Sequence, residues 1–293
     1  MALTKMSLLA QSHPGPDDGP PGLGLSAELF RPLVRTGDGV RMGRNTGGAI
    51  LVVTRSVGGR STLAAELPLA WGSQSYDLPQ FRQESQFRGM GNPGFSLQRA
   101  LGRQPDSGAN SGATAMEAAL RLPLAWSSGG SMDPLFVGVL GDPTRPDRWA
   151  HDLTAFSLGV IHGAPLGDPA ELRVRGGSAL WLLSGDQSDR EFVAEYEAGI
   201  RTRGPGVRAG VGLRGIAAMG SEYRSFSDRT IHRLHAEVGA PTGRWVLTGF
   251  TRVNLDTPVA DMACFTVGVR VDEGRGHPQG SVQPVEGDRW GRE

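Results

Sequence analysis

The chain has 293 residues but a single cysteine, Cys264, and a single lysine, Lys5. One cysteine excludes an intrachain disulfide and any cysteine-cluster metal site. The formal net charge is zero, so the basic footprint of a nucleic-acid-binding protein is missing. Aromatic residues make up only 6% and hydrophobic residues 38%, little for an enzyme of this size with a large apolar core. No apolar run approaches the roughly 20 residues of a transmembrane helix. That excludes a helical membrane protein and nothing more, because barrel strands are short and alternate in polarity. Glycine is abundant instead: 44 residues, about twice the ordinary share of roughly 7%.

What the chain does have is an internal echo. Leu67-Pro68-Leu69-Ala70-Trp71 recurs letter for letter as Leu122-Pro123-Leu124-Ala125-Trp126. Each copy runs into a polar stretch rich in Ser and Gly, which ends in a triplet, Gly91-Asn92-Pro93 or Gly141-Asp142-Pro143. Gly163-Ala164-Pro165-Leu166-Gly167 is echoed by Gly239-Ala240-Pro241-Thr242-Gly243. These are strand and turn signals, and they describe a β meander.

Alternation of apolar and polar residues marks strands with two different faces. Twelve segments qualify: 23–34, 47–57, 62–72, 94–102, 113–126, 152–163, 170–184, 190–202, 207–219, 229–240, 244–255 and 262–272. No segment has a helical period. Charged residues fall on one parity in strand after strand. Leu63, Ala65, Leu67, Leu69 and Trp71 oppose Glu66; Phe192, Ala194, Tyr196, Ala198 and Ile200 oppose Glu195, Glu197 and Arg201. Leu234, Ala236 and Val238 oppose Arg233, His235 and Glu237, and Val267, Val269 and Val271 oppose Arg270.

A soluble β-sandwich would alternate too. The apolar face favours a membrane barrel, because it is continuous over about the 9–11 residues needed to cross hydrocarbon. On that reading Leu67, Leu122, Leu124, Phe192, Tyr196, Val211, Phe265, Val267 and Val269 face lipid. The lumen is lined by Glu66, Arg121, Arg173, Glu195, Glu197, Arg208, Arg214, Arg233, Glu237 and Arg270. Trp71, Trp126 and Trp245 sit at segment ends, where aromatic girdles belong. Long polar loops at 73–93 and 127–151, against very short turns at 203–206 and 241–243, match the two-sided asymmetry of outer-membrane barrels.

Sites for chemistry are scarce. Gly210-Val211-Gly212-Leu213-Arg214-Gly215 has dinucleotide-binding spacing but lies inside an alternating strand, so glycines on the lumen parity explain it better. His232 and His235 fall on opposite faces of a strand and cannot share a metal. No nucleophile elbow is present. Glu195 and Glu197 share a face, the arrangement of a lumen ladder paired with Arg173, Arg175 or Arg208 rather than of a glycosidase. No catalytic, cofactor or metal residues are assigned.

The run Glu66–Trp71, the Gly91-Asn92-Pro93 and Gly141-Asp142-Pro143 triplets, the Ala240-Pro241-Thr242-Gly243 turn and the closing strand Thr266–Val271 resemble a family of outer-membrane barrels. That family is described as transporters or components of meta-pathway phenol degradation, distantly related to long-chain fatty acid channels. The resemblance touches about residues 45–272, and it implies location and fold better than cargo.

The expectation is therefore an all-β, antiparallel, up-and-down transmembrane barrel of about twelve strands over residues 23–272. Residues 1–22 read as a flexible lead-in, with Lys5 and Met6–Ala10 in the pattern of a signal-peptide remnant; 273–293 reads as a polar tail. The expected function is a non-catalytic channel for passive uptake or efflux of small organic or hydrophobic solutes in a diderm outer membrane. Its partners would be the lipid bilayer, the solute and the barrel-assembly machinery, with no nucleic acid and no cofactor. One alternative is a soluble or surface-attached β-sandwich for binding or adhesion. The other is an enzyme built on a barrel, which a Ser or Thr placed against His235 or His162 would revive.

Overall fold

A computed structural model describes residues 23–34, 40–43, 45–57, 60–78, 81–101, 112–128, 134–184, 189–202, 206–220, 229–256 and 259–273. The lead-in, 1–22, and nearly all of the tail, 273–293, lie outside the described residues.

The strands in chain order are β1 (Leu23–Leu33), β2 (Val40–Met42), β3 (Gly47–Val57), β4 (Ser61–Leu78), β5 (Phe81–Met90), β6 (Gly94–Leu101), β7 (Ala113–Arg121) and β8 (Trp126–Ser128). They continue as β9 (Leu153–Pro165), β10 (Ala170–Leu183), β11 (Asp189–Thr202), β12 (Arg208–Ala218), β13 (Thr230–Thr242), β14 (Trp245–Asn254) and β15 (Phe265–Glu273). Twelve of them form a closed antiparallel ring, β1-β3-β4-β6-β7-β9-β10-β11-β12-β13-β14-β15, and β15 returns to β1. Closure leaves no second sheet, so the sandwich alternative is excluded. These twelve strands correspond to the twelve alternating segments of the sequence. The barrel solves the problem of unpaired edges by having none.

Period-2 alternation fixes what each strand shows to each side. On β1, Ser26, Glu28 and Phe30 are buried inside, while Leu25 and Leu29 are exposed outside. The outer surface carries Val53, Leu97, Phe156, Leu158, Val160, Phe192, Val211, Leu247, Phe265, Val267 and Val269, with Phe192 60% and Leu158 63% exposed. So much exposed apolar surface, wrapped continuously around a closed ring, is stable only against lipid. No helix among the described residues is long and apolar enough to cross a membrane; the crossing is made by strands.

The two ends of the barrel differ. Leu23 and Glu273 lie at one end with the tight β13–β14 turn, where Gly243 takes a positive φ. The other end carries the long excursions. There β4 outgrows the ring and pairs with β2 and β5, and β5 pairs with β8. Outer-membrane barrels put short turns on the periplasmic side and long loops outside.

Three local expectations need correction. The 73–93 stretch is not an open loop but the far half of β4, β5 and a short link. The 113–126 segment is not one strand: β7 ends at Arg121 and β8 begins at Trp126. The 127–151 stretch contains helix α1 (Pro134–Gly141) and a 3-10 turn, Pro146–Arg148, both folded into the barrel. A further short helix, α2 (Val259–Met262), follows β14. Helix α1 escapes pattern recognition because Pro134-Leu135-Phe136-Val137-Gly138-Val139-Leu140-Gly141 is apolar on every side. A helix surrounded by protein has no polar face and so no period.

A plugged, charged lumen as the candidate functional site

The segment from α1 to Ala150 fills one end of the lumen and forms a plug. Its apolar part docks first. Leu135 and Trp149 join Phe30, Ile50, Val52, Ala64 and Ala70 of the barrel wall in one buried cluster. Trp149 meets Phe30 edge-on, with ring centroids 6.1 Å apart. Gly138 makes that fit possible, since a Cβ there would lie 2.1 Å from the Trp149 ring. Asn254 of β14 donates to the Leu140 carbonyl at 3.2 Å, which satisfies one orphan acceptor at the helix end.

The polar part is locked by charge. Glu66 on β4 receives a two-pronged bond from Arg148 of the plug, at 2.8 and 2.9 Å, and a further bond from Arg121 of β7. Arg121 also donates to Asp147 of the plug at 2.5 Å. Asp147 is held by Arg145 as well, at 3.0 Å from each of two guanidinium nitrogens. Asp142 accepts from Arg148 at 3.2 Å and pairs with Arg233 of β13. Asn92, in the link after β5, donates to the carbonyls of Asp147, Ala150 and Leu153 at 3.0, 2.7 and 3.3 Å. Burial alone would raise the Asp142 and Asp147 carboxyls. The facing cations, Arg233 for Asp142 and Arg145 with Arg121 for Asp147, outweigh it and hold both well below the ordinary carboxylate range.

A second lattice lies beyond the plug. Arg175 of β10 bonds Glu195 of β11 at 2.6 Å and Glu117 of β7 at 3.3 Å. Arg214 of β12 stands 3.9 Å from Glu195 and 4.0 Å from Glu197. Arg201 bonds Glu171 at 3.1 Å, and Arg270 bonds Glu237 at 3.0 Å and Asp272 at 2.8 Å. Arg252 pairs with Glu28.

All ten residues named from sequence stand on the inward parity. Glu66, Arg121, Arg173, Glu195, Glu197, Arg214, Arg233 and Arg270 are buried; Arg208 and Glu237 are half-buried. Glu66, Arg121 and Arg233 meet the plug, whereas Glu195, Glu197, Arg214, Glu237 and Arg270 belong to the second lattice. Arg145, Asp147 and Arg148 carry no signal of their own in the sequence, because they sit in a segment with the composition of a loop. Asn92 and Asp142 read as turn residues, yet both are fully buried anchors. The signal was there in the repeated Gly-Asn/Asp-Pro triplet, placed after each copy of the pentapeptide.

On the outside, His232 and His235 do face opposite ways. His232 joins the Tyr196 hydroxyl at 2.6 Å and Asp256 at 3.1 Å on the outer wall, while His235 is buried inside. Gly215 does not face the lumen as expected. It faces outward, where a Cβ would lie 2.4 Å from the Tyr196 ring. Thr114 lies 2.9 Å from Nδ1 of His162 on the outer surface. Among the described residues no carboxylate bonds to His162 in return, so the orienting third member of a catalytic triad is not supplied.

No known protein family matches the sequence, and no curated protein matches it either. Solved structures do match the fold. An outer-membrane channel of Pseudomonas putida F1 is 12% identical, with a TM-score of 0.55 over 89% of this chain and 99% of that one. The NanC porin is 8% identical, with a TM-score of 0.47 over 86% and 99%. The transport unit of the Escherichia coli autotransporter AIDA-I is 9% identical, with a TM-score of 0.46 over 94% and 97%. The chain has the fold of an outer-membrane β-barrel.

Proposed function

We propose that the chain is an outer-membrane channel through which small organic or hydrophobic solutes pass down their gradient, with the α1–Ala150 plug as its closure. The observation that carries this reading is the pairing of an apolar exterior with a charged interior that is filled by an inserted segment rather than by a continuous apolar core. A purely structural barrel could fill its lumen with Leu and Val at no electrostatic cost. Here the interior is built from Arg and Glu, which need one another and hydrate readily once separated. With the plug seated, Arg148 and Arg233 are 0% exposed, so passage requires plug movement. The bilayer is the first partner, and assembly machinery acts during insertion. No chemistry is assigned to any residue.

The test begins with migration of the detergent-extracted protein, boiled against unboiled. A faster unboiled band is expected of a closed barrel. Liposome swelling then compares the wild type with Arg148→Gln, which loosens the plug from Glu66. Faster swelling by the variant is the expected result. Identical impermeability of both proteins to sugars, benzyl alcohol and benzoate would overturn the channel reading and leave a closed scaffold.

A further inference from the structure

The inner faces of β12, β13 and β14 carry an arrangement that the plug alone does not explain. Arg214 stands directly opposite Arg233, and His235 directly opposite Arg252. The like charges of Arg214 and Arg233, placed directly across the ladder, destabilise it. Each arginine therefore needs an acceptor: Arg252 has Glu28 on one nitrogen, but the supply on the strip is short. Among the described residues none offers a hydrogen-bond partner to any of the three guanidinium nitrogens of Arg214, although the side chain is 1% exposed. Nε of Arg233, Nδ1 of His235 and Nη1 of Arg252 also find no partner among the described residues. The nearest carboxylates to Arg214, on Glu195 and Glu197, stand off at 3.9 and 4.0 Å. Glu195 is already taken by Arg175 at 2.6 Å. Among the described residues the carboxylate seated on Arg233 comes from outside the wall: it is Asp142, carried in by the plug and also bonded by Thr144 at 2.8 Å and Arg148 at 3.2 Å.

We propose that the strip Arg214–Arg233–His235–Arg252 is a binding site for the carboxylate of an organic-acid solute, and that Asp142 occupies it as a stand-in while the barrel is closed. This rests on the channel reading. A carboxylate offers about four lone-pair sites in one plane, the number and shape that neighbouring guanidinium forks accept. When the plug withdraws, Asp142 leaves Arg233, and the strip gains a surplus of donors with nothing to receive them. A solute carboxylate restores the balance that Asp142 maintained. Plug and solute thus compete for one place, which ties occupancy to opening without a second sensor.

Chemical rescue tests the site directly. Asp142→Gly in the full-length detergent-solubilised protein removes the stand-in and lowers the thermal unfolding midpoint. Sodium formate is expected to raise that midpoint back toward the wild-type value, while sodium chloride or phosphate at equal ionic strength does not. The wild type should show no such gain. Adding Arg214→Gln to Asp142→Gly should shift the formate dependence to roughly tenfold higher concentration, the effect of about one charge-assisted bond; Arg214→Lys should shift it less. If Asp142→Gly does not fold, folded yield on refolding with formate against chloride gives the same comparison. Equal effects of formate, chloride and phosphate, or no effect of any, overturn the site. The swelling assay separates the two readings: rescue by formate without benzoate or benzyl alcohol passage removes the channel and keeps the site, and passage without rescue does the reverse.

Discussion

The two charge lattices inside the barrel use the same residue types and behave differently. At the plug, Glu66 receives three guanidinium bonds, and the acids Asp142 and Asp147 are each shared by two arginines. Beyond it, Arg214 is held at about 4 Å from two acids with no bond to either. Chain connectivity explains the contrast. The plug is a separate segment that can adjust its position until each fork seats on its acid. The wall residues are pinned by strand register, which brings Arg175 to 2.6 Å from Glu195 but leaves Arg214 about 4 Å short of Glu195 and Glu197. Plug pairs are tight because the segment could settle onto the wall, whereas wall pairs are tight only where register brings fork and acid together, as for Arg175 with Glu195 but not for Arg214. Burial sharpens the difference, because an ion pair that loses one partner in a dry interior costs far more than the pair ever contributed.

The contrast can be broken from the plug side first. Glu66→Gln leaves Arg121 and Arg148 facing each other without their shared carboxylate. It should lower unfolding stability by about 3–5 kcal/mol, measured as the denaturant midpoint of the heat-modifiable band, and should raise passive permeability. A wild-type midpoint in that variant would mean that the apolar docking of Leu135 and Trp149 holds the plug alone. Next in size, Leu158→Arg places a charge on the lipid face of β9 and should cost roughly 2–4 kcal/mol if it lies near mid-bilayer, without changing permeability of the protein that does insert. Arg175→Gln removes the tight member of the second lattice and should cost about 1.5–3 kcal/mol. Arg214→Gln removes the loose member and should cost less than about 1 kcal/mol. Equal losses for Arg175 and Arg214 would abolish the distinction drawn from their distances.

Acid sharpens the same comparison. Asp142 and Asp147 have folded pKa values below their unfolded ones. Their contribution is therefore complete above the unfolded carboxylate range, near about 4, and disappears as pH falls through the depressed folded values. Plug stability should be flat from neutral pH down to about pH 4 and fall below it. Thermal midpoints against pH for the wild type and for Asp147→Asn check this, since the variant should lose part of the acid-dependent fall.

The outer face was legible in the sequence because lipid imposes a rule on every second residue. Val211, Phe265, Val267 and Val269 could be assigned outward from parity alone, as could the inward positions of Glu195 and Arg270. The repeated pentapeptide marks where that legibility stops. Leu67–Trp71 lies inside β4, and Pro68 falls where β6 has just left the strand and β5 has not yet joined, so its missing N–H breaks no ladder bond there. Its carbonyl accepts from Gly91. Leu122–Trp126 has identical letters but spans the gap between β7 and β8, with the Ala125 N–H donating to the Asn92 side chain at 2.8 Å. Five residues cannot choose between these states; the neighbours across the sheet choose.

By itself, then, the sequence determined the all-β class, the ring strands and which side of each strand meets lipid, because those follow from a two-residue period that needs no partner to be read. Only the tertiary structure decided that residues 134–150 turn inward, that the Asn92 and Asp142 triplets are anchors, and which arginine meets which acid. Those depend on contacts such as Glu66 with Arg148, 82 residues apart. Such a contact leaves no periodic trace, because nothing in the chain between its partners repeats at that distance.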